Sequence, residues 1–341
     1  MALRHPEDLA AWQRWQAGRN RLRSVRHALR RPAPPALWLH LRGYAPVVLF
    51  ALDASTPTAV ASLAAPLAHT GDAHVAVLAP QDMSARLPGT WAVARLDPHS
   101  APPVWLGTPH TVVATGHFLP AGAAAYRWAG ALGARFLVVQ HGLLTPQMAP
   151  LPRGAHLLAF SEQDADFWRS GRADVTSEVV GSELLWSAAQ RPAADLVDGA
   201  PVFLGQLHGA ELPRSISGGT AFTFCRGHHA VYRPHPAETD KRSRWAHACW
   251  RARGIRFAEP GSLLDEPRPV VSIFSTGVLE AAAAGIPAWV TCVRPPAWLQ
   301  EFWERYGLRL WGGEPTPAPA LPRIEPARAI AERVLSEGGP K

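Results

Sequence analysis

The sequence predicts an α/β fold of two Rossmann-like, doubly wound domains that face a cleft. Short apolar runs alternate with helix-like stretches along most of the 341 residues. The runs are continuously apolar, which is typical of parallel strands buried on both faces. The pattern occurs twice, before and after the polar, proline-bearing stretch Gln190–Pro201. This length and a hydrophobic content of 47% suit two domains of ordinary size.

The first domain is predicted over residues 36–195. Its strands are Pro46–Asp53, His74–Pro80, Trp91–Asp97, Thr111–Ala114, Arg135–Gln140, His156–Phe160 and Glu178–Val180. Its helices are Pro57–His69, Ala121–Leu132 and two that begin after Ser161 and Ser182, where serine is a favoured N-cap.

The second domain is predicted over residues 200–311. Its strands are Pro201–Gly205, Ala230–Arg233, Ile255–Ala258, Val270–Phe274 and Ala288–Thr291, and its helices are Asp240–Arg253, Thr276–Ala284 and Ala297–Tyr306. The proline-rich stretch Gly312–Pro322 then leads to a last helix, Glu325–Ser336, in a C-terminal segment over residues 323–338.

The N-terminal residues 1–31 carry most of the net charge. Eight arginines against Glu7 and Asp8 make +6 of the total +7. The spacing of the apolar residues predicts a basic amphipathic helix. Two interpretations remain open: the helix packs on its own protein through tryptophans, or it binds an anionic membrane surface or a polyanionic acceptor. Nucleic acid ranks below both, because the charge is confined to one end and no RNA-binding motif accompanies it.

Composition also sets the expected location and cofactors. The three cysteines lack C-x-x-C spacing, which favours a reducing cytoplasm. Neither a signal peptide nor a run of about 20 apolar residues is present, so we expect a cytoplasmic protein, peripheral at the inner face of the cell membrane if residues 1–31 bind it. The histidine spacing fits no zinc site, and Asp164-Ala-Asp166 is interpreted as helix surface, so no metal or other cofactor is expected.

The first candidate motif follows the predicted strand Ala230–Arg233. It comprises Arg233, His235 between two prolines, and Glu238. The prolines stiffen the loop that carries the imidazole. His235 can donate to a phosphoryl oxygen as a leaving group departs, Arg233 can neutralise phosphate, and Glu238 is predicted to orient His235. The alternative is a turn histidine stacked on Tyr232.

The second candidate motif begins the predicted helix Thr276–Ala284. Ser275 and Thr276 supply hydroxyls, Gly277 permits close approach of a ligand, and helix N-termini bind anions. Glu280, one turn into the helix, can accept both hydroxyls of a ribose. The alternative is a capping box in which Glu280 bonds back to the helix start.

Weaker candidates follow other strands. Gln140, His141 and Gly142 end a strand of the first domain, and His141 is predicted to be a general base with a pKa near neutrality. His117 has the same position on the preceding strand and is a competing base or an acceptor-site wall. Gly205 and Gln206 can turn backbone N–H groups towards a pyrophosphate.

Together these motifs resemble the metal-independent glycosyltransferases of the GT-B fold. The likeness covers about residues 135–290. His235-Pro236 and Ser275-Thr276 look like the His-Pro and Ser/Thr motifs of bacterial sialyltransferases, polysialyltransferases and capsule Kdo transferases. Gln140-His141-Gly142 is similar to the His-Gly of the glycerophosphotransferases of teichoic acid synthesis. The resemblance implies a nucleotide-binding second domain and an acceptor-binding first domain.

The function expected from these observations is transfer of a sugar or polyol phosphate. The donor is a nucleotide-activated compound, cytidine-linked by the resemblance, and the acceptor is a cell-surface glycan or a lipid-linked molecule. Two alternatives remain: a nucleotide-sugar epimerase of the same fold, and a non-catalytic protein that binds nucleotides or RNA through its arginine-rich start.

Overall fold

The computed structural model describes residues 2–19, 36–53, 56–191, 196, 199–209, 211–259 and 261–336. These residues form two compact units. The large unit comprises the described residues of Ala2–Leu184 and those from Pro322 onward, and the small unit comprises the described residues of Leu185–Leu321. The boundary therefore lies ahead of the predicted Gln190–Pro201 break. The C-terminal segment predicted over residues 323–338 belongs to the large unit.

The strands and helices are as follows. The strands are β1 Leu37–Arg42, β2 Val48–Ala51, β3 Val75–Ala79, β4 Ala92–Leu96, β5 Thr111–Ala114, β6 Arg135–Val139, β7 His156–Ala159, β8 Thr176–Val179, β9 Val202–Leu204, β10 Val231–Arg233, β11 Val270–Ser272 and β12 Ala288–Val290. The helices are α1 Leu9–Arg19, α2 in three consecutive segments (Pro57–Ala59, Val60–Ala64 and Ala65–His69), α3 Pro120–Leu132, α4 Glu162–Arg169, α5 Glu183–Ala189, α6 Arg214–Gly227, α7 Lys241–Ala252, α8 Thr276–Ala283, α9 Ala297–Arg305 and α10 Pro326–Leu335.

The large unit is built on an eight-stranded sheet in the order β4-β1-β3-β2-β5-β6-β7-β8. The strands from β3 to β8 in that order are parallel, but β1 is antiparallel to both β3 and β4. The prediction of purely parallel sheets is therefore wrong for this unit. Strand β1 was not predicted.

Both faces of the large sheet are covered by apolar side chains. One buried cluster joins Leu49, Val112 and Val138 of the sheet to Trp128 of α3 and Trp168 of α4. A second cluster lies on the opposite face, where Phe50, Val77 and Val113 pack against Leu63 of α2 and Ile330 of α10. Successive residues of a strand point to opposite faces of the sheet, and here both faces are buried in an apolar cluster. The strand sequences are therefore continuously apolar.

The two chain ends pack on the large unit. Trp12 of α1 is buried, donates from Nε1 to the Gln147 carbonyl at 2.8 Å and contacts the Phe118 ring at a centroid distance of 5.0 Å. This agrees with packing through tryptophan for the described part of the basic segment. The rest of the predicted amphipathic helix lies outside the described residues. At the other end, the Ala327 N–H of α10 donates to Glu183 at 3.0 Å.

The small unit is built on a four-stranded parallel sheet in the order β10-β9-β11-β12. Helices α6 and α7 cover the face that carries Phe203 and Tyr232, through Phe224 and Trp250 respectively. The predicted strand Ile255–Ala258 is reduced to a single bridge between Tyr232 and Phe257. The sheet therefore has the predicted α/β character, with one strand fewer.

Helix α6 was not predicted because its own sequence favours other conformations. Its segment contains three glycines and two threonines, residue types with low helix propensity. The helix is stabilised by burial of Ala221 and Phe224 against the sheet, which only tertiary packing provides. No helix among the described residues is both long and apolar enough to cross a bilayer.

Candidate functional site

The candidate motifs of the small unit meet at one edge of its sheet. The chain passes from β9 to β10 on one side and then crosses back to β11 on the other side of β9. In open α/β sheets, ligands bind at the carboxyl ends of strands where the order reverses in this way. Neighbouring strands lie about 4.8 Å apart, so the ends of β10 and β11 lie about 10 Å apart. The loops that carry His235 and Ser275 therefore leave the same edge.

Gln206 ties two of these strand ends together. Its side-chain Nε2 donates to the Phe274 carbonyl at 3.0 Å, and its Oε1 accepts from the Phe274 N–H at 3.1 Å. The amide thus acts as a clamp between the loop after β9 and the residue that precedes Ser275. Its side chain is therefore committed to the backbone. The Gly205 N–H, predicted to face a pyrophosphate, instead donates to the Arg233 carbonyl at 2.8 Å, so that prediction is wrong for Gly205.

Two imidazole rings stack at this edge. The centroids of His208 and His235 are 3.7 Å apart, with an interplanar angle of 15°. His235 Nδ1 accepts the Ala237 N–H at 3.1 Å, so the neutral ring carries its proton on Nε2. Burial lowers the pKa of His235, while the nearby Glu238 charge acts in the opposite direction. The predicted alternative, stacking on Tyr232, is replaced by stacking on His208.

Glu238 has a structural role inside the unit. Its fully buried carboxylate accepts the Leu207 N–H at 2.9 Å, the Tyr232 hydroxyl at 2.9 Å and a hydrogen bond with His247 Nε2 at 2.8 Å. These bonds join the loop after β9 to the loop after β10. The Glu238 carboxylate is bonded to these groups and not to the His235 ring, so it does not orient that ring as predicted. A Cβ on Gly205 would collide with Tyr232 and Glu238, which explains the glycine there by packing.

Arg233, the last residue of β10, lines a cavity. Its guanidinium donates to the Gly261 carbonyl. The cavity has a volume of about 320 Å³, within the range of about 300–1,000 Å³ typical of ligand sites. Three arginines, three carboxylates and one aromatic ring line it, namely Arg233, Arg256, Arg268, Glu259, Asp265, Glu266 and Phe257. This wall can hold a polar, planar molecule beside the strand end.

The helix start at Ser275 is an N-cap as predicted. The Ser275 hydroxyl accepts the Gly277 N–H at 3.1 Å, and Thr276 is the first helical residue. A Cβ on Gly277 would lie 2.6 Å from Leu204 Cδ1, so the close approach here is that of a leucine side chain. The first turn contains no acidic residue, and the cap is neutral.

Glu280 does not form the capping box that was the alternative to ribose binding. With Ser275 as N-cap, the capping position belongs to Val278, and Glu280 lies two residues further on. Burial raises the pKa of Glu280 to about 7, against the lowering effect of the Arg233 and Arg191 charges. A carboxyl group of this kind beside two arginines can accept hydrogen bonds from a ligand in its ionised form.

The large unit holds the other predicted residues. His141 follows β6 and borders a cavity of about 10 Å³, room for one water molecule, together with Ser182 and Glu183. Its Nδ1 is buried and has no hydrogen-bond partner within the described chain. Burial lowers the pKa of His141 to about 4. The expectation of a pKa near neutrality is therefore corrected: the ring is unprotonated at pH 7, but it is a weak base.

Gln140 and Gly142 serve the backbone around His141. The buried Gln140 amide accepts the Phe160 N–H at 2.9 Å and donates to the Gly142 carbonyl at 3.0 Å and to Asp164 at 2.9 Å. Asp164 is buried, so its interpretation as helix surface is wrong, whereas Asp166 is exposed as expected. Within the described ranges, no cluster of three or more metal-ligating side chains was found.

His117 is the second histidine of the large unit. Its ring packs edge-on against Tyr126 at a centroid distance of 5.2 Å, and its Nδ1 is buried without a hydrogen-bond partner among the residues that the structure describes. Burial, and then the positive charge of Arg172, lowers the pKa of His117 to about 4. It has the same weak basicity as His141.

Three further residues, Asp53, His208 and Arg214, were not among the predicted site residues. Asp53 follows β2 and accepts the Ala121 and Gly122 N–H groups at the start of α3, both at 2.7 Å. His208 stacks on His235, and Arg214, whose charge contributes to lowering the pKa of His208 after partial burial and His235, begins α6. For Asp53 and His208, the position just after the carboxyl end of a strand is the signal that was available in the sequence.

Comparison with known proteins yields no relative: no protein-family model, no curated protein and no solved structure matches the chain.

Proposed function

We propose that the chain is a metal-independent transferase of the GT-B type. It moves a sugar or polyol phosphate from a nucleotide-activated donor, cytidine-linked, to a cell-surface glycan or lipid-linked acceptor. The observation that carries this proposal is the carboxyl edge of the small sheet. There, a stacked imidazole pair follows β9 and β10 and a neutral helix N-cap follows β11, all on loops of one topological switch point.

The small unit supplies the groups that a nucleotide diester or diphosphate requires. The Nε2–H of His235 is a donor for phosphate oxygens, and the positive end of the α8 dipole lies at the helix start that Ser275 caps; both act best where negative charge develops on the leaving group. The cavity beside Arg233 has the size and the aromatic wall for a nucleoside. In this assignment Glu280 accepts hydroxyl protons of the ribose, and Ser275 and Thr276 orient the phosphate.

The large unit supplies the acceptor side of the reaction. His141 accepts the proton of the acceptor hydroxyl, and His117 belongs to the acceptor wall. Because the pKa of His141 lies at about 4, the ring is available in its basic form at neutral pH but contributes a modest driving force. Most of the rate enhancement is then assigned to stabilisation of the departing phosphate.

The proposal is tested by ligand-dependent thermal unfolding with CMP, CDP, UDP, GDP and ADP. A ligand that binds only the folded state raises the melting temperature according to its concentration relative to Kd. We expect the cytidine nucleotides to give the largest rise. His235→Ala is expected to weaken nucleotide binding about 10- to 100-fold, the loss of a charge-assisted hydrogen bond. His99→Ala, which removes an exposed histidine of the large unit, is the matched control.

Each competing function gives a different result. Absence of any nucleotide-dependent rise, or an unchanged affinity in His235→Ala, overturns the proposal. An isomerised nucleotide sugar among the products identifies the epimerase alternative. Nucleotide binding without transfer or hydrolysis of any donor identifies a non-catalytic protein, and a steep salt dependence that is lost on deletion of residues 1–31 identifies RNA binding.

A further inference from the structure

The His208–His235 pair is arranged as one chemical unit. The rings face each other at 3.7 Å between centroids and are nearly parallel. His208 is exposed and His235 is half-buried. Neighbouring groups position the two rings. The N–H of Leu207, the residue before His208, donates to Glu238, and the Ala237 N–H donates to the His235 ring. Both rings therefore keep their relative position without a bond between them.

The charged groups around the pair come from every neighbouring element. On the loop after β9, Glu211 lies beside Gly209. Arg214 at the start of α6 forms an ion pair with Asp240 at 2.7 Å, so the Asp240 carboxylate is engaged by the guanidinium and not by the imidazole pair. Glu238 lies behind the pair, bonded to His247. No acidic residue belongs to the first turn of α8.

Two protons do not fit on this pair near neutral pH. Imidazolium rings at this separation repel each other strongly in a partly desolvated site, and Arg214 adds a third positive charge. Interacting groups of this kind titrate as a pair, with one proton bound well before the second. An anion bound at the outer edge of the rings favours the protonated form of the pair, but its charge compensates for one added proton and not for two.

We propose that His208 and His235 form a single proton-binding unit of the anion site, which is neutral in the free protein and takes up one proton, held on one ring or the other, when a phosphate-bearing ligand binds. This rests on the proposed function and adds His208 to the residues that contact the ligand. The proton comes from the solvent, and no covalent bond changes. Ligand binding by this site is therefore strengthened by mild acid.

The direction of the pH dependence follows from linkage. Partial burial and the neighbouring positive charges lower the pKa of His208 in the free protein, and burial lowers that of His235. A bound anion raises the pKa of the pair. Affinity therefore rises as the pH falls through the pKa of the complex, by at most about tenfold per pH unit for one proton, and levels off below the pKa of the free pair.

Sulfate is the appropriate probe, because it does not titrate between about pH 5 and about pH 8, where histidine does. Calorimetric titration of the full chain with sulfate in buffers of different ionisation enthalpy counts the protons taken up. We expect a maximum of about one proton per chain. His208→Asn and His235→Asn should each bind sulfate about tenfold more weakly, and the double variant should bind with an affinity independent of pH.

The outcomes separate the inference from the proposed function. Uptake that approaches two protons, uptake of none, or an unchanged sulfate affinity and pH profile in His208→Asn overturns the single proton-binding unit, even if nucleotides still bind. Failure of sulfate and of every nucleotide to bind at any pH overturns the proposed function itself. His208 is exposed, so thermal unfolding of His208→Asn should match that of the wild type, and His99→Asn should leave proton uptake unchanged.

Discussion

The two units share a topology at their switch points but use it differently. In the large unit β2 lies between β3 and β5, and in the small unit β9 lies between β10 and β11. At the switch point of the large sheet, the Asp53 carboxylate occupies the N-terminus of α3, because it accepts the Ala121 and Gly122 N–H groups, both at 2.7 Å. The start of α8, at the small-sheet crevice, is capped by the neutral Ser275 hydroxyl.

This difference shows what makes a helix start available to a ligand. A carboxylate at the N-terminus neutralises the positive end of the helix dipole and uses the amides that an anion would contact. A hydroxyl cap uses one amide and adds no charge. The same fold can therefore bury an internal anion in one unit and leave room for an external anion in the other.

A second parallel concerns two glutamines. Gln140 in the large unit clamps the Phe160 N–H, and Gln206 in the small unit clamps the N–H and carbonyl of Phe274. Each joins neighbouring strand ends, but Gln140 is buried and Gln206 is half-exposed. The clamp of the small unit is therefore in contact with solvent at the edge where a ligand is proposed.

The largest expected effect on ligand binding comes from placing a carboxylate at the start of α8, as Asp53 provides for α3 in the large unit. Ser275→Asp places a carboxylate on the start of α8, where it caps the helix but repels phosphate. We expect nucleotide binding to weaken about 100-fold with folding stability unchanged or increased. Ser161→Asp, at the N-cap of α4, is the matched control and should leave binding unchanged. Equal losses in both variants would contradict the comparison.

The reverse change removes the internal anion. Asp53→Ala leaves two partly buried N–H groups of α3 without their acceptor, and we expect the free energy of unfolding to fall by about 2 kcal/mol. Asp53→Asn, which keeps one acceptor oxygen, should cost less, and Asp166→Asn on exposed helix surface should cost little. Denaturant unfolding measures the three values. A neutral Asp53→Ala would mean that the carboxylate does not support the helix.

Acidification is expected to affect the large unit through its histidines. The pKa values of His117 and His141 lie at about 4 in the folded protein and near 6.5 in an unfolded chain. The unfolded chain therefore binds more protons between these values, so stability is lost as the pH falls from about 6.5 to about 4, by at most about 3 kcal/mol per histidine. His141→Gln and His117→Gln should each flatten the pH profile of unfolding. Unchanged profiles would show that neither ring resists protonation.

The smallest effect separates the two glutamine clamps. Gln140→Ala removes the acceptor of the Phe160 N–H and a donor to the buried Asp164. In Gln206→Ala, water can bond to the Phe274 N–H and carbonyl in place of the amide, because this site is in contact with solvent. We expect Gln140→Ala to lower the unfolding free energy by about 1 kcal/mol more than Gln206→Ala. Gln206→Ala should instead weaken nucleotide binding by displacing Phe274 and Ser275. The reverse ranking in denaturant unfolding would argue against the buried clamp.

Most of the individual elements could be predicted from the sequence because their signals are local. The apolar run Thr111–Ala114 and the helix start after Ser275 need only the chain neighbours for their identification, and both are confirmed. Helix α6 and strand β1 were missed, since α6 depends on burial of Phe224 and β1 on pairing with two strands distant in sequence. Three-dimensional packing overrides weak propensity in both cases.

The sequence by itself determined the α/β class and the placing of His235 and Ser275 directly after buried strands, because apolar runs, prolines and caps act within a few residues. Only the tertiary structure decided which groups these residues meet. It set His208 against His235, turned Glu238 inward to Tyr232 and His247, and put Asp53 on α3. The physical reason is that hydrogen bonds and ring contacts depend on strand order and burial, which bring together loops that no local pattern relates.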